Sequence, residues 1–462
     1  MDNSSYNIGI VGLGVMGLNL ARNVASRSFT VLGWDPQEEQ RRLAENHKIP
    51  CASSIKDLVQ QLESPRKILL MVPAGQVVDQ VIRSISASLD PGDIIMDGGN
   101  SFFKETDKRN QQLTEDGIHF LGLGISGGHK GALEGPAIMA GGDPDAYAKV
   151  KPILVALAAS YDGTPCVDFM GKSSAGHYVK MVHNGIEYGL MQVVAEAFDF
   201  LVELNGYSYQ QCAALFKQWN STRLQGYLME ITANILKISS GENAVLDEIF
   251  DAAGQKGTGS WTAQNALELG VPVPGIDAAI RMRQISGYWE ERRALSKLLD
   301  GTVSTHQESG ITSEMVEKAI YAAFLLVYLQ GFHQLQVASK EYGFTYTLAQ
   351  VAKTWRNGCI INSQIVRSLA GALESVKTHP LLVQTINDQL KTDIESLRFV
   401  VSHAVLSGLS LPGMSANLWY WDAFSRAELP TRIIQAQRDY FGGHGYQTGP
   451  DSDLTSFPWE VE

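Results

Sequence analysis

Ile8-Gly9-Ile10-Val11-Gly12-Leu13-Gly14-Val15-Met16-Gly17 joins a strand pattern to a glycine-rich turn. An apolar run of strand character leads straight into Gly-x-Gly-x-x-Gly, and a helical segment from Leu18 to Ala25 follows. In that context the first glycine makes the tight turn, the second lets backbone approach a pyrophosphate, and the third lets helix pack on strand. The pyrophosphate then sits on the helix N-terminus, where free N–H groups and the helix dipole favour an anion. Asp35 ends the next strand candidate, 18 residues beyond Gly17, where a carboxylate accepts hydrogen bonds from an adenosine ribose. The same carboxylate repels a 2′-phosphate, and Pro36 offers no backbone N–H there. The expectation is NAD in preference to NADP, with Arg41 and Arg42 one or two helical turns on keeping NADP open.

Working outward, strand candidates at 7–11, 30–34, 67–72, 94–96 and 119–123 alternate with amphipathic helical segments, the βαβ rhythm of a parallel, doubly wound sheet. Near Gly171 the pattern changes to long apolar-periodic helices. The expected organisation is a Rossmann dinucleotide-binding domain over 1–173, an all-helical substrate and dimerisation domain over 174–430, and a C-terminal tail over 431–462. The helical part repeats itself: Lys180 and Met191-Gln192 recur as Lys318 and Leu329-Gln330, and Lys217-Gln218-Trp219 recurs as Lys353-Thr354-Trp355. This predicts a duplicated bundle. The segment from Pro430 to the polar, Gly-rich end reads as a tail that packs on a neighbour.

Composition narrows the function. Over 462 residues, 44% hydrophobic and 19% charged content is ordinary for a globular enzyme, and the length asks for two cores. A net charge of -12 argues against nucleic acid and anionic membrane surfaces as partners. An anionic substrate must then meet a locally basic pocket. Cys51, Cys166, Cys212 and Cys359 form no CxxC pair and fit a reducing, cytoplasmic setting. The first strand begins near Tyr6 and leaves no room for a signal segment. The longest apolar run, 319–329, is too short for a bilayer and reads as a buried helix.

The segment Lys180-Met181-Val182-His183-Asn184-Gly185-Ile186-Glu187-Tyr188 carries the chemistry. Its polar groups fall at i, i+3, i+4, i+7 and i+8, one face of a helix. Burying an ammonium, an imidazole, an amide, a carboxylate and a phenol in one stripe is costly unless a polar ligand completes them. A lysine whose pKa falls through burial can take a proton from a hydroxyl as hydride leaves for a nicotinamide, and a glutamic acid can then protonate a carbon. Two Gly-rich turns, Asp97-Gly98-Gly99-Asn100-Ser101 and Ser126-Gly127-Gly128, bring backbone N–H groups and an amide to the strand ends. A third element, Asp251 to Trp261 with Lys256 and Thr258 between glycines, reads as a phosphate grip without the spacing of a nucleotide P-loop.

With these pieces the chain resembles the 6-phosphogluconate dehydrogenase family of the β-hydroxyacid dehydrogenase superfamily. The family motif I/L-x-D-x-x-G/A-x-K-G-T-G-x-W is met from Ile249 to Trp261, and GHYVKMVHNGIEYG stands from Gly176 to Gly189. The resemblance covers nearly the whole chain. It implies a homodimer in which NAD(P) oxidises C3 of 6-phosphogluconate and the β-keto acid loses CO2, giving ribulose 5-phosphate without a metal. It implies Lys180 as general base and Glu187 as the acid that protonates the enediol. Asn100, Ser126, Gly127, Gly128, His183 and Asn184 would hold the sugar acid. Tyr188, Lys256, Thr258 and Arg283 would hold the phosphate, joined by Arg438 and His444 from the partner's tail. The cofactor would meet Gly12, Leu13, Gly14, Val15, Met16, Gly17, Val72, Pro73, Ala74 and Asn100, with Asp35 on the ribose.

The chain departs from the family in places. It has Asp35-Pro36-Gln37 where many members have Asn-Arg-Ser/Thr, and Gly14 where GxAxxG is common; both shift the expectation toward NAD. His129 and Lys130 follow Ser126-Gly127-Gly128 where two acids are usual, and Ala140 replaces a usual proline. The first of these keeps an alternative open: an NAD(H)-dependent dehydrogenase or reductase of another small phosphate- or phosphonate-bearing hydroxy acid or ketone. Retention of Glu187 argues against it, because simple alcohol–ketone exchange needs no carbon acid. A binding protein without turnover would be expected to lose catalytic residues, and both are present.

Overall fold

The computed structural model describes residues 5–240, 243–254, 257–299, 310–376 and 378–459. The first half builds a seven-stranded sheet from β1 (Ile8–Val11), β2 (Val31–Trp34), β3 (Lys67–Leu70), β4 (Ile94–Asp97), β5 (His119–Ser126), β6 (Ala137–Gly142) and an edge strand Val167–Gly171. The order is β2-β1-β3-β4-β5-β6-edge. Strands β1 to β5 pair parallel, and the order reverses at β1, so the crevice beyond the ends of β1 and β3 is the ligand position of such sheets. The five expected strands are all present. The wholly parallel sheet is not: β6 runs antiparallel to β5. The helix that joins them, Gly128–Glu134, has only seven residues, and a parallel return needs a crossover of about a dozen or more.

Alternate residues of the strands feed two cores. Ile8, Ile10, Leu69, Met96, Leu121 and Leu123 pack on one face, and Val11, Leu32, Ile68, Leu70, Ile95 and Phe120 on the other. Burial on both faces explains the near-continuous apolar runs in the sequence.

After the edge strand the described residues are mainly helical, with two-residue strands at Ser239–Ser240 and Asn243–Ala244. Two 29-residue helices, Ala175–Glu203 and Ser313–Glu341, form its centre. Each precedes a helix opened by a capping box, Ser208 for Tyr209–Trp219 and Thr347 for Leu348–Thr354. The tryptophans Trp219 and Trp355 stand buried at the equivalent ends. The expected duplication is therefore present. It is functionally unequal: Lys318, the counterpart of Lys180, is on the surface paired with Glu314.

The Ala175–Glu203 helix lies directly on the sheet because glycines line the contact. A Cβ on Gly122 would stand 2.8 Å from the His177 ring, one on Gly124 would collide with Lys180 Cβ, and Gly141 and Gly176 abut through their backbones. This close approach seats Lys180 beside the C-terminal half of β5. The chain ends in a helix, Thr431–Gly442, and an irregular segment folded back on it. Asp439 organises that end, accepting from the N–H groups of Gly445 and Phe457, the Ser456 hydroxyl and the Trp459 indole.

Candidate active site

Lys180 is 6% exposed, and its Nζ donates to Asn184 Oδ1 at 2.7 Å with His183 Nδ1 at 3.3 Å. His183 Nε2 lies 3.0 Å from the Ser126 hydroxyl, so the helix and the first residue of the Ser126-Gly127-Gly128 turn are joined. Burial pushes the Lys180 ammonium below its ordinary range, against the pull of Glu187. Burial pushes the Glu187 carboxyl up, against Lys180 and Arg283. His183 is driven well down by burial and by the neighbouring ammonium, and so stays neutral. Its 3.8 Å approach to Glu187 is therefore not an ion pair. The outcome is a lysine and a glutamate on one helix, each pressed toward its uncharged form.

Tyr188 and Arg283 meet face on, the guanidinium carbon 3.5 Å from the ring centroid. Thr258 opens the helix Thr258–Glu268 next to them, and a Cβ on Gly259 would strike the Tyr188 ring. Lys256 lies outside the described residues. Asn100 is exposed just beyond β4, and Gly127 and Gly128, directly after β5, both take a positive φ that favours glycine. Arg438 and His444 are exposed on the tail, and the Arg438 hydrogen bond, to Gln435, stays within the tail. Lys180, His183, Asn184, Ser126, Tyr188, Thr258 and Arg283 thus belong to one connected region, whereas Arg438 and His444 do not join it within a single chain. His129 and Lys130 are both exposed; the His129 carbonyl accepts from Asn19, and Lys130 lines a polar surface cavity of about 400 Å³ with Glu134, Glu230 and Arg367. Ala140 is buried in β6.

At the dinucleotide crevice the three glycines show three environments. Gly12 has φ +94°, Gly17 packs against the Gly12 carbonyl, and Gly14 faces open space. No side chain caps the helix Val15–Ala25, so its first N–H groups remain for a ligand. These features fit a pyrophosphate. Asp35 is 8% exposed and accepts from the N–H groups of Leu13 at 2.8 Å and Gln37 at 2.9 Å, tying β2 to the glycine loop. Arg41 donates to the carbonyls of Asp35 and Pro36, and Arg42 pairs with Glu38 on the surface.

Sequence reasoning missed the supports of this site. The Ile360 N–H donates to Ser126 Oγ, and the Gly358 carbonyl blocks any side chain at Gly127. Trp261 stacks on Phe102 at 4.9 Å and Lys104 pairs with Glu268, pinning the Thr258 helix to the sheet domain. None of these pairs has a local sequence signature, since each joins residues more than 150 positions apart or across a loop. The Asn357 to Asn362 loop carried no motif that would have pointed to Ser126.

A dinucleotide crevice joined to a buried lysine–glutamate helix defines an NAD(P)-dependent oxidoreductase. Residues 7–171 match the NAD binding domain of 6-phosphogluconate dehydrogenase, and residues 176–459 match its C-terminal domain. The chain belongs to the 6-phosphogluconate dehydrogenase family. A decarboxylating 6-phosphogluconate dehydrogenase of Lactococcus lactis subsp. lactis is 42% identical over 467 residues, covering 99% of each chain. An NADP(+)-dependent, decarboxylating enzyme of Bacillus subtilis is 43% identical, with 99% of each chain covered. The Plasmodium falciparum 6-phosphogluconate dehydrogenase, studied in complex with NADP+ and with 6-phosphogluconate, superposes with a TM-score of 0.92 at 34% identity, covering 98% of this chain and 100% of that one.

Proposed function

We propose that the protein oxidises and decarboxylates 6-phosphogluconate to ribulose 5-phosphate and CO2. The observation that carries this reading is the placement of Lys180 and Glu187 two turns apart on one helix packed on the sheet, where burial presses each toward its neutral form. The amine of Lys180 takes the proton of the C3 hydroxyl; a nicotinamide dinucleotide held at the glycine loop from Gly12 to Gly17 would supply the hydride acceptor for C3. The resulting β-keto acid loses CO2 from C1, with Lys180, now an ammonium, donating to the C3 oxygen to stabilise the enediol. Glu187 then delivers its proton to the carbon that lost CO2. A dehydrogenase without decarboxylation would not need that second step.

In this reading Asn100, Ser126, Gly127, Gly128, His183 and Asn184 hold the sugar acid, and Tyr188, Lys256, Thr258 and Arg283 the phosphate. Arg438 and His444 come from a partner's tail, because their own chain leaves them away from the site. The active unit is a homodimer with exchanged tails, built from a dinucleotide domain over 1–173, a helical domain over 174–430 and the tail over 431–462. The four free thiols support a reducing, cytoplasmic setting. Gly12 to Gly17, Val72, Pro73, Ala74 and Asn100 would hold the dinucleotide.

For the cofactor we propose NAD, on the Asp35 carboxylate held at the end of β2 against the glycine loop, since a carboxylate there would accept from an adenosine ribose and repel a 2′-phosphate. A second reading, NADP, is favoured by the Arg41 guanidinium beside it and by the NADP named for the Bacillus subtilis and Plasmodium falciparum proteins. The test of both is one assay: purified protein with 6-phosphogluconate and each dinucleotide, recording reduced nicotinamide and released CO2. Reduction without CO2 overturns the decarboxylase reading. A higher kcat/KM with NADP overturns the inference from Asp35, and Asp35→Asn should move the ratio toward NADP by about tenfold or more if that inference holds.

A further inference from the structure

Asp97, Ser101, Arg109 and His177 have no assigned part in binding or catalysis, yet they form one hydrogen-bonded path between the two ligand regions. Arg109, on the helix Phe103–Glu115, is only 4% exposed. Its Nε donates to Asp79 at 2.6 Å, and its second terminal nitrogen to the Gly75 carbonyl at 3.0 Å and Glu105 at 3.2 Å. The remaining nitrogen reaches the Ser101 hydroxyl at 3.4 Å, with the Asp97 carboxylate at 3.9 Å. Gly75 directly follows Val72-Pro73-Ala74 and starts the helix Gln76–Ser86 that carries Asp79. One guanidinium therefore grips both the dinucleotide loop and the turn after β4.

Asp97 continues the path. Its carboxylate accepts from the Ser101 hydroxyl at 2.6 Å and the Gly99 N–H at 2.9 Å, clamping the turn on both sides of Asn100. Its main-chain carbonyl lies 3.0 Å from His177 Nε2. A carbonyl only accepts, so Nε2 carries the proton and Nδ1 takes the Thr106 hydroxyl at 2.7 Å. Burial holds His177 neutral, which keeps that tautomer in place. His177 stands one helical turn before Lys180, on the same face.

We propose that Arg109 is a positioning residue for the reaction: it holds the Val72–Ala74 loop and the Asn100 turn in one fixed relation, which Asp97 and His177 extend to the Lys180 helix. This rests on the reading of that loop and Asn100 as ligand contacts. Hydride transfer needs donor carbon and acceptor ring within a few tenths of an ångström of their working distance, and a misplacement of about 1 Å costs on the order of 100-fold. Arginine suits the task because its planar fork fixes several acceptors at once, whereas a lysine ammonium at the same place carries the charge without the geometry.

The test compares full-length wild type with Arg109→Lys, Arg109→Met and Ser101→Ala. Steady-state kinetics are run with 6-phosphogluconate deuterated at C3, alongside dinucleotide affinity from fluorescence quenching and melting temperature. The expected result is a kcat lowered by about 10- to 100-fold in Arg109→Lys, a larger deuterium isotope effect, and a several-fold weaker dinucleotide Kd. Ser101→Ala should change kcat and isotope effect in the same direction by less. A folded Arg109→Lys with wild-type kcat and isotope effect overturns the proposal, as does a loss confined to melting temperature in all variants. If Arg109→Met does not fold, the lysine and alanine variants decide. If wild type does not turn over 6-phosphogluconate, the functional reading has failed; the dinucleotide Kd of Arg109→Lys against wild type still tests the positioning role.

Discussion

At the scale of single residues, Lys180 and Glu187 make the sharpest predictions. The proposed reaction needs the amine and the carboxylic acid together, so kcat/KM should fall toward acid as Lys180 gains a proton and toward alkali as Glu187 loses one. The two limbs belong to the coupled pair and not to either residue alone. Glu187→Gln should lose about 10²- to 10⁴-fold in rate and also lose the alkaline limb, which a pH–rate profile on the residual activity would reveal. Lys180→Met should bind 6-phosphogluconate within a few-fold of wild type by calorimetry yet transfer no measurable hydride; normal turnover would mean that another group is the base. The stripe from Lys180 to Tyr188 was legible because polar residues at helical spacing stand out in an apolar segment. Arg109, Asp97 and His177 were not, although Asp97 sits in a turn that was singled out. Its contact with His177 spans 80 residues, and side-chain pairing over that distance leaves no local pattern. Arg438 and His444 were readable only through family resemblance, since nothing in their neighbourhood points to a phosphate.

At the scale of elements, β5 controls where the Lys180 helix sits. Gly124→Ala should force that helix off the sheet, lowering stability by roughly 1–3 kcal/mol as overpacking does, and reducing kcat more than the melting temperature alone would suggest. Thermal unfolding and kcat measured together separate the two effects; an unchanged kcat would show that the close contact is not what positions Lys180. The same glycines explain a misread boundary. The sequence pattern predicts an end to β5 at Leu123, since Gly124 lowers strand propensity, whereas the strand runs to Ser126. Strand β6, Ala137-Ile-Met-Ala-Gly-Gly, was missed for a related reason: it has little β-branched content and gains its stability from burial between β5 and the edge strand. The long helices and their duplication were legible, because 29 residues of apolar periodicity accumulate signal that a six-residue strand cannot.

At the scale of the whole molecule, the exposed tail is a feature that one chain leaves uncovered. Ile433, Ile434, Tyr440 and Phe441 are exposed along its helix, beside Arg438. If a partner's tail completes each site, a chain truncated after Pro430 and the Lys180→Met chain should each be inactive, and mixing them after dissociation should restore activity. Half of the dimers would then be mixed, each with one complete site, giving about a quarter of wild-type activity. No recovery, with mixed dimers confirmed by mass, would place Arg438 and His444 in their own chain's site. The two-part fold was legible in the change of period near Gly171, whereas the antiparallel turn of the sheet depended on a crossover length that periodicity does not report. The Ser313–Glu341 helix carries a further consequence, this time for how the protein is made. Its apolar run is covered on one side by the Ala175–Glu203 helix, already synthesised, but on another by Gln384–Leu406, which is not. At roughly 5–20 residues per second the ribosome needs about 3–13 s to travel from Glu341 to Leu406. Over that interval the side of this helix that Gln384–Leu406 will cover has no partner yet synthesised, so the order of synthesis leaves that part of its apolar surface open to non-native contacts.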